Sequence, residues 1–460
     1  MGWIAQVNQL LWGGLLLALL LGIGLYLLVG CRLFPLCAPR LLLKRTLGAL
    51  RQKTEGVSPY EAMSAALAGT IGTGNIVGVA TAIAAGGPGT IFWMWLSGLV
   101  CMVIKYAEVT LAVRYREKDS AGGYRGGPMY YIKNGLPKSF QPLAGIFAVC
   151  GVLCSFGVGN AAQVGSMSAM LNASFSLPPW AVGLTAALLT ALVIFGGIGR
   201  IAKFCGYLVP IMSLFYIAGG VFVIGCNHAQ LPAAVSAIFT CAFQPEAALS
   251  GGAAFGFLAA LRFGVARGIF TNEAGMGSAP IAHAAAQTEH PVSQGLWGAF
   301  EVLVDTLVVC TVTALVILTS PCVSFGGDGG TLTLQAFSGV LGRYGGGFIA
   351  VSVALFAFAS IVSWSYYGET CCRYLWGDKM VTPYKIVYCA VTLLTAGGSL
   401  GMVFALCDLL NGLMALPNLL ALALLSPVVF SLTKEYRARA AAERRRKKTA
   451  KAPPLHAKSQ

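Results

Sequence analysis

The sequence predicts an all-α polytopic membrane protein, and three observations lead to that prediction. Of its 460 residues, 57% are hydrophobic and only 10% are charged, with a mean hydropathy of +0.75. Soluble chains carry about 25% charged residues. Apolar runs of about 20 residues, long enough for a helix to cross a bilayer, recur along the whole chain. The basic residues collect in alternate connections between these runs.

The lengths of the apolar runs and the turn-forming residues between them predict about eleven transmembrane helices. They cover residues 9–30, 61–86, 90–114, 142–171, 179–199, 204–225, 252–283, 294–319, 346–372, 383–406 and 411–432. Most of the 31 Lys and Arg residues lie in connections on one side of these spans or in the tail. By the positive-inside rule, the N-terminus is expected outside and the C-terminus in the cytoplasm. The net charge of +15 is therefore interpreted as a topology signal, with the lipid bilayer and no nucleic acid as partner.

No obligate protein partner is evident from the sequence. The spans divide the chain into five predicted parts. They are an N-terminal peripheral transmembrane helix with a basic cytoplasmic loop (1–60), a first five-helix repeat (61–225), an extracellular connection (226–251), a second five-helix repeat (252–433) and a basic cytoplasmic tail (434–460). Because five is an odd number, the two repeats would have opposite orientations in the membrane.

Two apolar spans contain residues that disfavour a helix. The stretch GTIGTGNIVG (69–78) combines four glycines with threonine and asparagine, and GVARGIFTNEAGMGSAP (264–280) repeats this mixture. Glycine in a span either lets helices pack closely or marks unwound backbone, which hydrocarbon tolerates only beside protein or a cavity. Each stretch opens one group of five spans. Broken helices at corresponding positions of inverted halves are typical of a secondary transporter's binding site.

Five sequence blocks resemble the signatures of the alanine/glycine:cation symporter family, also called the sodium:alanine symporter family. They are GTGNIVG (72–78), GGPGTIFWMWLSG (86–98), GGPMYYI (126–132), RGIFTNEAGMGSAPIAHA (267–284) and WSYYGE (364–369). The resemblance implies the amino acid–polyamine–organocation superfamily and a five-plus-five inverted repeat of the leucine-transporter type. It also implies import of a small neutral amino acid, alanine or glycine, with Na⁺ as coupling ion and no organic cofactor. H⁺ would be possible in some members.

A zwitterionic substrate needs donors for its carboxylate and acceptors for its ammonium. The backbone amides around Thr73 and Gly74, beside Asn75 and helped by the Thr73 hydroxyl, are expected to bind the carboxylate. Carbonyls from Gly268 to Thr271 in the second break are expected to bind the ammonium. The alternative for the Thr73 hydroxyl is a bond to its own helix.

The resemblance adds three side chains to the expected substrate site. Trp364 and Phe270 would form a wall that limits substrate size, and Gln163 would face the substrate from the fourth span. Trp364 could instead be an interfacial anchor, and Gln163 could join packed helices.

The family pattern also implies a Na⁺ site between the second and ninth spans. Its ligands would be the carbonyls of Ala68, Ile71 and Phe356 and the hydroxyl of Ser360, which also borders the substrate site. Ala359 departs from the family's usual pair of adjacent hydroxyls, so one ligand is expected to be lost or replaced by water.

Charged residues inside the spans need partners. Lys105 and Glu108 are three residues apart and are expected to pair on one helix face. Glu301 and Asp305 are four apart, and Arg262 or Arg267 would be their partners across helices. If transport used a proton, Glu273 or Asp305 would be expected to titrate.

Other function classes lack their sequence signals. A membrane-embedded enzyme, the distant alternative, would need a nucleophile–base or metal cluster, yet no H-E-x-x-H and no histidine pair with ligand spacing occurs. The sequence also has no Gly-Lys dipeptide, which excludes a Walker A loop. The nearer alternative is an H⁺-coupled symporter of the same superfamily, or one for serine or glutamine. We expect that the protein is not an enzyme and that it lies in the bacterial plasma membrane.

Overall fold

The computed structural model describes residues 2–49, 55–119, 122–243, 246–248, 254–321, 329–398 and 400–449. Within these ranges the chain is helical almost throughout, as its composition predicts. Residues 244–245 and 249–253 of the predicted extracellular connection, and residues 450–460 of the predicted tail, lie outside the described residues.

The N-terminal part is one long helical segment followed by short helices. It consists of α1 (Gly2–Leu10), a π-helical turn (Leu11–Leu15), α2 (Leu16–Gly30), α3 (Phe34–Cys37), α4 (Pro39–Arg45) and a 3-10 turn (Leu47–Ala49). The helical segment therefore begins earlier than the predicted span at residue 9.

The next eight helices cover the predicted first repeat in the described part of the chain. They are α5 (Pro59–Thr70), α6 (Val79–Gly86), α7 (Thr90–Arg114), α8 (Pro128–Gly135), α9 (Gln141–Phe156), α10 (Ala162–Phe175), α11 (Pro179–Ile194) and α12 (Gly197–Cys226). π-Helical turns precede α6 (Gly74–Gly78) and join α9 to α10 (Gly157–Ala161), and a 3-10 turn (Lys138–Phe140) precedes α9. A capping box starts α5: the Ser58 hydroxyl accepts from the Glu61 amide, and the Glu61 carboxylate accepts from the Ser58 amide.

Two short hairpins lie in the connections. Strands β1 (Glu117–Lys118) and β2 (Tyr124–Arg125) are antiparallel between α7 and α8, and β3 (Glu246–Ala248) pairs in the same way with β4 (Ala254–Gly256). The predicted extracellular connection also contains a 3-10 turn (His228–Gln230) and helix α13 (Leu231–Phe243). This connection is therefore more structured than the sequence suggested.

The second group of helices follows β4. It consists of α14 (Phe257–Asn272), α15 (Ala279–His283), α16 (Pro291–Val302), α17 (Thr311–Thr319), α18 (Gly329–Leu341), α19 (Tyr344–Trp376), α20 (Val381–Leu394) and α21 (Leu400–Thr449). A π-helical stretch (Leu303–Cys310) joins α16 to α17, and a 3-10 turn (Asp378–Met380) precedes α20.

One predicted boundary near the C-terminus is wrong. The predicted span 383–406 ends at Leu394, because the chain turns at Thr395–Gly398, where two glycines follow one another. Helix α21 continues to Thr449, so the first part of the predicted cytoplasmic tail (434–460) is helical, and the boundary at residue 434 stays a prediction.

The described residues form a multi-pass membrane protein. By length and composition, six of their helical segments could cross a membrane, and a seventh if the bent pair of α5 with residues 74–86 is one span. The predicted count of eleven and the inverted repeat stay predictions, because several helices at predicted spans, such as α11 and α20, have fewer than 18 residues.

Helix α7 lies at the centre of the packing, against α16 on one side and α14 on the other. Its residues from Val100 to Val113 are all buried. Helix α19 packs on α9 and α10, while α2 packs on α7 and α21. Lys105 and Glu108 on α7 and Glu301 on α16 therefore face other protein segments instead of lipid.

Candidate functional site

The first break separates α5 from α6. Helix α5 ends at Thr70, Ile71 has an extended backbone (φ −74°, ψ 99°), and the helix resumes at Gly74 with a bend of 55°. Asn75 stabilises this turn, because its Oδ1 accepts a hydrogen bond of 3.0 Å from the Gly72 amide. The first stretch that the sequence marked is thus unwound at residues 71–73.

The second break separates α14 from α15. Glu273, Gly275 and Gly277 all have positive φ angles there, which glycine adopts readily and glutamate rarely. The Asn272 side chain accepts from the Ala274 amide at 3.0 Å. The break begins at Glu273, later than the predicted stretch Gly268–Thr271, which is still helical.

This difference limits which carbonyls are free to bind a ligand. The Gly268 carbonyl already accepts from Thr271 Oγ1 at 2.9 Å and from Asn272 Nδ2 at 2.7 Å. The carbonyls of Phe270 and Thr271 belong to the last turn of α14, where no intrahelical donor follows. They are therefore the better acceptors for an ammonium.

A cavity of about 280 Å³ lies between the two breaks. Five of the predicted substrate residues border it: Thr73, Gly74, Gln163, Phe270 and Thr271. Arg267, Glu273, Asp408 and Asn411 border it as well. The cavity is thus polar at both breaks and carries charges of both signs.

One end of this cavity is suited to a carboxylate. Thr73 and Gly74 stand at the N-terminus of the helix that leads into α6, where the first backbone amides have no intrahelical acceptor. The partial positive charge of a helix N-terminus favours an anion at this position.

Acceptors for an ammonium border the same cavity. Gln163 Oε1 and Asn411 Oδ1 are buried and have no hydrogen-bond partner among the described residues. Gln163 is held in place by its Nε2, which donates to the Val158 carbonyl at 3.2 Å. Asn411 was not predicted, although an asparagine three residues after an aspartate in an apolar run is a signal that could have found it.

Four predicted substrate residues do not border the cavity. Asn75 is fully buried, and its Nδ2 donates to Asp305 Oδ1 at 2.6 Å. Trp364 is 1% exposed and packs its ring on Tyr367 at 5.3 Å, beside Gly159. Gly268 and Ser360 are also buried away from it. Asn75 therefore braces the break, and Trp364 is buried between Tyr367 and Gly159.

The four predicted cation ligands lie together behind the first break. The Ser360 hydroxyl oxygen is 3.1 Å from the Ala68 carbonyl oxygen, 3.5 Å from that of Ile71 and 3.1 Å from that of Phe356. Four oxygens at this spacing are a donor set of the kind that hard cations prefer. Ala359 is buried next to Ser360 and adds no oxygen from its side chain.

The predicted pair Lys105–Glu108 is not formed. Lys105 Nζ lies 3.4 Å from Glu301 Oε1 on α16, and both side chains are fully buried. Glu108 instead accepts from the Gly277 amide at 3.1 Å and from Asn418 Nδ2 at 2.6 Å. Cross-helix packing outweighed the spacing on one helix, because the Gly277 amide in the second break and the Asn418 side chain on α21 each donate to Glu108.

The predicted arginine partners of Glu301 and Asp305 are also wrong. Asp305 is bonded to Asn75 and to Thr306 Oγ1, at 2.6 and 2.9 Å. Arg267 faces Asp408 across the edge of the cavity, and Arg262 is exposed. The arginines lie on α14, whereas Glu301 has Thr70, Lys105 and His283 as its partners.

Most of the chain is similar to known proteins. The sequence profile of the sodium:alanine symporter family matches residues 1–451. The chain is 41% identical to the sodium/alanine symporter AgcS of Methanococcus maripaludis, over 94% of this chain and 96% of that protein. It is 40% identical to the "Probable sodium/glutamine symporter GlnT" of Bacillus subtilis, over 94% and 90%.

A solved structure shares the fold. The crystal structure of MhsT in complex with L-phenylalanine aligns with a TM-score of 0.57 over 81% of this chain and 90% of that chain. The two sequences are only 16% identical, so this likeness concerns the fold alone.

Proposed function

Since the chain belongs to the sodium:alanine symporter family, we propose that it is a Na⁺-coupled symporter that imports a small neutral amino acid, alanine or glycine, by alternating access. The amino acid would occupy the cavity between the two breaks, and Na⁺ would bind among the oxygens around Ser360. The basic connections support an orientation with the N-terminus outside and the C-terminus in the cytoplasm.

The main support for this proposal is that the first break lies between the expected cation ligands and the cavity. On one side, three carbonyl oxygens lie within 3.5 Å of the Ser360 hydroxyl. On the other side, Thr73 and Gly74 border the cavity at the start of a helix. A cation and an amino acid bound to one unwound segment would each favour the same conformation of that segment, which is what symport requires.

The roles within the cavity follow from charge. The carboxylate would bind the amides at Thr73 and Gly74, and the ammonium would bind Gln163 Oε1, Asn411 Oδ1 and the carbonyls that end α14. Phe270 would limit the side chain, since its ring is braced by Trp12 at a centroid distance of 6.3 Å. One methylene in an apolar pocket is worth only about 1–3 kcal/mol, so alanine and glycine would both be accepted.

The test is uptake of labelled alanine into proteoliposomes, with and without an inward Na⁺ gradient at constant pH. We expect Na⁺-dependent accumulation that Thr73→Ala lowers by about tenfold or more, because a hydrogen bond to a charged group is lost. Thr392→Ala is the matched control, since the Thr392 hydroxyl is buried and bonded to the Tyr388 carbonyl of its own helix.

Other outcomes would change the proposal in defined ways. Uptake that follows a pH gradient and ignores Na⁺ would make H⁺ the coupling ion. Uptake of serine or glutamine, but not of alanine or glycine, would show that the substrate is a different amino acid. Glutamine is the substrate in the name of the Bacillus subtilis relative. No uptake under either gradient would contradict the symporter proposal.

A further inference from the structure

A buried ionic cluster joins the two broken helices beside the cavity, which only its member Thr70 borders. Its centre is the Glu301 carboxylate on α16. Glu301 Oε1 is 2.6 Å from the Thr70 hydroxyl and 3.4 Å from Lys105 Nζ, and Glu301 Oε2 is 2.9 Å from His283 Nε2. Thr70 is 5% exposed and the other three side chains are fully buried.

The hydrogen bonds define the form of the histidine in this cluster. Gln294 Nε2 lies 2.8 Å from His283 Nδ1, and an amide nitrogen can only donate. His283 Nδ1 is therefore the acceptor, and its Nε2–H donates to Glu301. Lys105 and Glu301 then balance each other's charge, with Thr70 and His283 as neutral donors.

This cluster holds α5 at both of its ends. Glu301 binds Thr70, the last residue of α5, while Gln294 Nε2 lies 3.2 Å from the carbonyl oxygen of Pro59, the first residue. His283 is the last residue of α15, the half-helix that follows the second break. The half-helices beside the two breaks are thus bonded to one face of α16.

The link to the cation ligands runs through Thr70. The Ala68 carbonyl belongs to the last helical turn of α5, which Thr70 ends, and Ile71 directly follows Thr70. The hydrogen bond from Thr70 to Glu301 therefore restrains the backbone segment that carries both carbonyls. Burying a lysine and a glutamate inside a membrane protein is costly, and such residues usually serve function.

We propose that Glu301, together with Lys105 and His283, is a positioning site that sets the affinity of the Ala68 and Ile71 carbonyls for the coupling cation and ties this affinity to the second break. No member of the cluster touches the cation. The inference rests on the proposed Na⁺ coupling.

The test measures Na⁺ binding to purified protein without substrate, as the Na⁺-dependent rise in Tm. Thr70→Val keeps the shape and removes only the hydroxyl, so no charge is left unpaired. We expect the Na⁺ concentration for half-maximal stabilisation to rise about tenfold, as for the loss of one hydrogen bond to a charged group. Thr70→Ser keeps the hydroxyl and should stay near the wild type.

Thr110→Val is the matched control, because the Thr110 hydroxyl is fully buried and bonded to the Tyr106 carbonyl of its own helix. A wild-type Na⁺ dependence for Thr70→Val, or an equal change in Thr110→Val, would overturn the inference. If the Tm of the wild type does not depend on Na⁺, both the proposed Na⁺ coupling and this inference are wrong. The two failures are distinguishable, because failure of the inference alone leaves the Na⁺ dependence of the wild type intact.

A second variant covers the case in which Thr70→Val does not fold. Lys105→Met with Glu301→Leu removes both charges at once, and apolar replacement of a buried pair is commonly tolerated. We expect the same rise in the half-maximal Na⁺ concentration, because the Thr70 hydroxyl loses its partner. An unchanged Na⁺ dependence in this folded variant would refute the positioning role.

Discussion

Asn75 Nδ2 donates a hydrogen bond of 2.6 Å to Asp305 Oδ1, although 230 positions separate the two residues. Asn75 Oδ1 accepts in turn from the Gly72 amide, so Asp305 supports the unwound turn of the first break. Glu108 on α7 does the same for the second break, where it accepts from the Gly277 amide. Each broken helix is thus supported by a carboxylate from the other group of helices.

This arrangement predicts that Asn75 is needed for transport without binding substrate. Asn75→Ala should lower the initial rate of uptake about tenfold or more, because the Gly72 amide and the Asp305 carboxylate both lose a partner. The measurement is uptake in proteoliposomes, normalised to inserted protein. Asn172→Ala, at the exposed end of α10, should keep the wild-type rate. A rate for Asn75→Ala within twofold of wild type would refute the bracing role.

The oxygen set at Ser360 predicts opposite effects of two neighbouring substitutions. Ser360→Ala should raise the Na⁺ concentration for half-maximal uptake by about tenfold, whereas Ala359→Ser should lower it severalfold by adding a hydroxyl ligand. Ser352→Ala is the control on the same helix, since its hydroxyl is bonded to the Phe348 carbonyl. The Na⁺ dependence of uptake at saturating alanine measures both effects. An unchanged half-maximal Na⁺ concentration in Ser360→Ala would mean that the cation binds elsewhere.

The unpaired Gln163 Oε1 predicts a role in ammonium binding. Gln163→Leu keeps the size of the side chain and removes the acceptor, so the KM for alanine should rise about tenfold while the half-maximal Na⁺ concentration changes little. Ser168→Ala, a buried residue of the same helix that does not border the cavity, serves as the comparison. Equal KM values for wild type and Gln163→Leu would favour the packing role that the sequence left open.

The environment of His290 predicts that the folded protein loses stability in acid. Its Nδ1 accepts from the Val292 amide at 3.2 Å and caps α16, so the ring must be neutral there. Burial lowers the pKa of His290 below its ordinary value of 6.5. The folded state therefore favours the neutral ring, and the stabilisation is complete above pH 6.5 and is lost as the pH falls through the lower folded pKa.

The Tm of purified protein between about pH 5 and 8 measures this effect. His290→Asn keeps an N-cap acceptor but does not titrate, so its Tm should fall less than that of the wild type over this range. Parallel curves for the two proteins would show that another group causes the acid loss.

Several features followed from local sequence. The helical character, the first break and the membrane class were predicted, because a bilayer requires every segment to be apolar and internally bonded along its own length. The four oxygens around Ser360 were named from the family resemblance, and the structure brings them together. Their role as cation ligands stays a prediction.

Other features depended on distant contacts. The start of the second break at Glu273 and the packing of Trp364 on Tyr367 had no clear local signal. Asn411 had one, its position three residues after Asp408 in an apolar run, but its unpaired acceptor is visible only in the structure. The turn at Thr395–Gly398 was missed because its flanking residues are as apolar as a continuous span.

By itself, the sequence determined that this chain is a helical membrane protein with two interrupted spans, since hydrophobicity and glycine content act within one segment at a time. Only the tertiary structure decided that Lys105 pairs with Glu301 instead of Glu108, and that Asn75 binds Asp305. The reason is that buried polar groups take the partners that helix crossing brings within about 3 Å, and spacing along one helix does not contain that information.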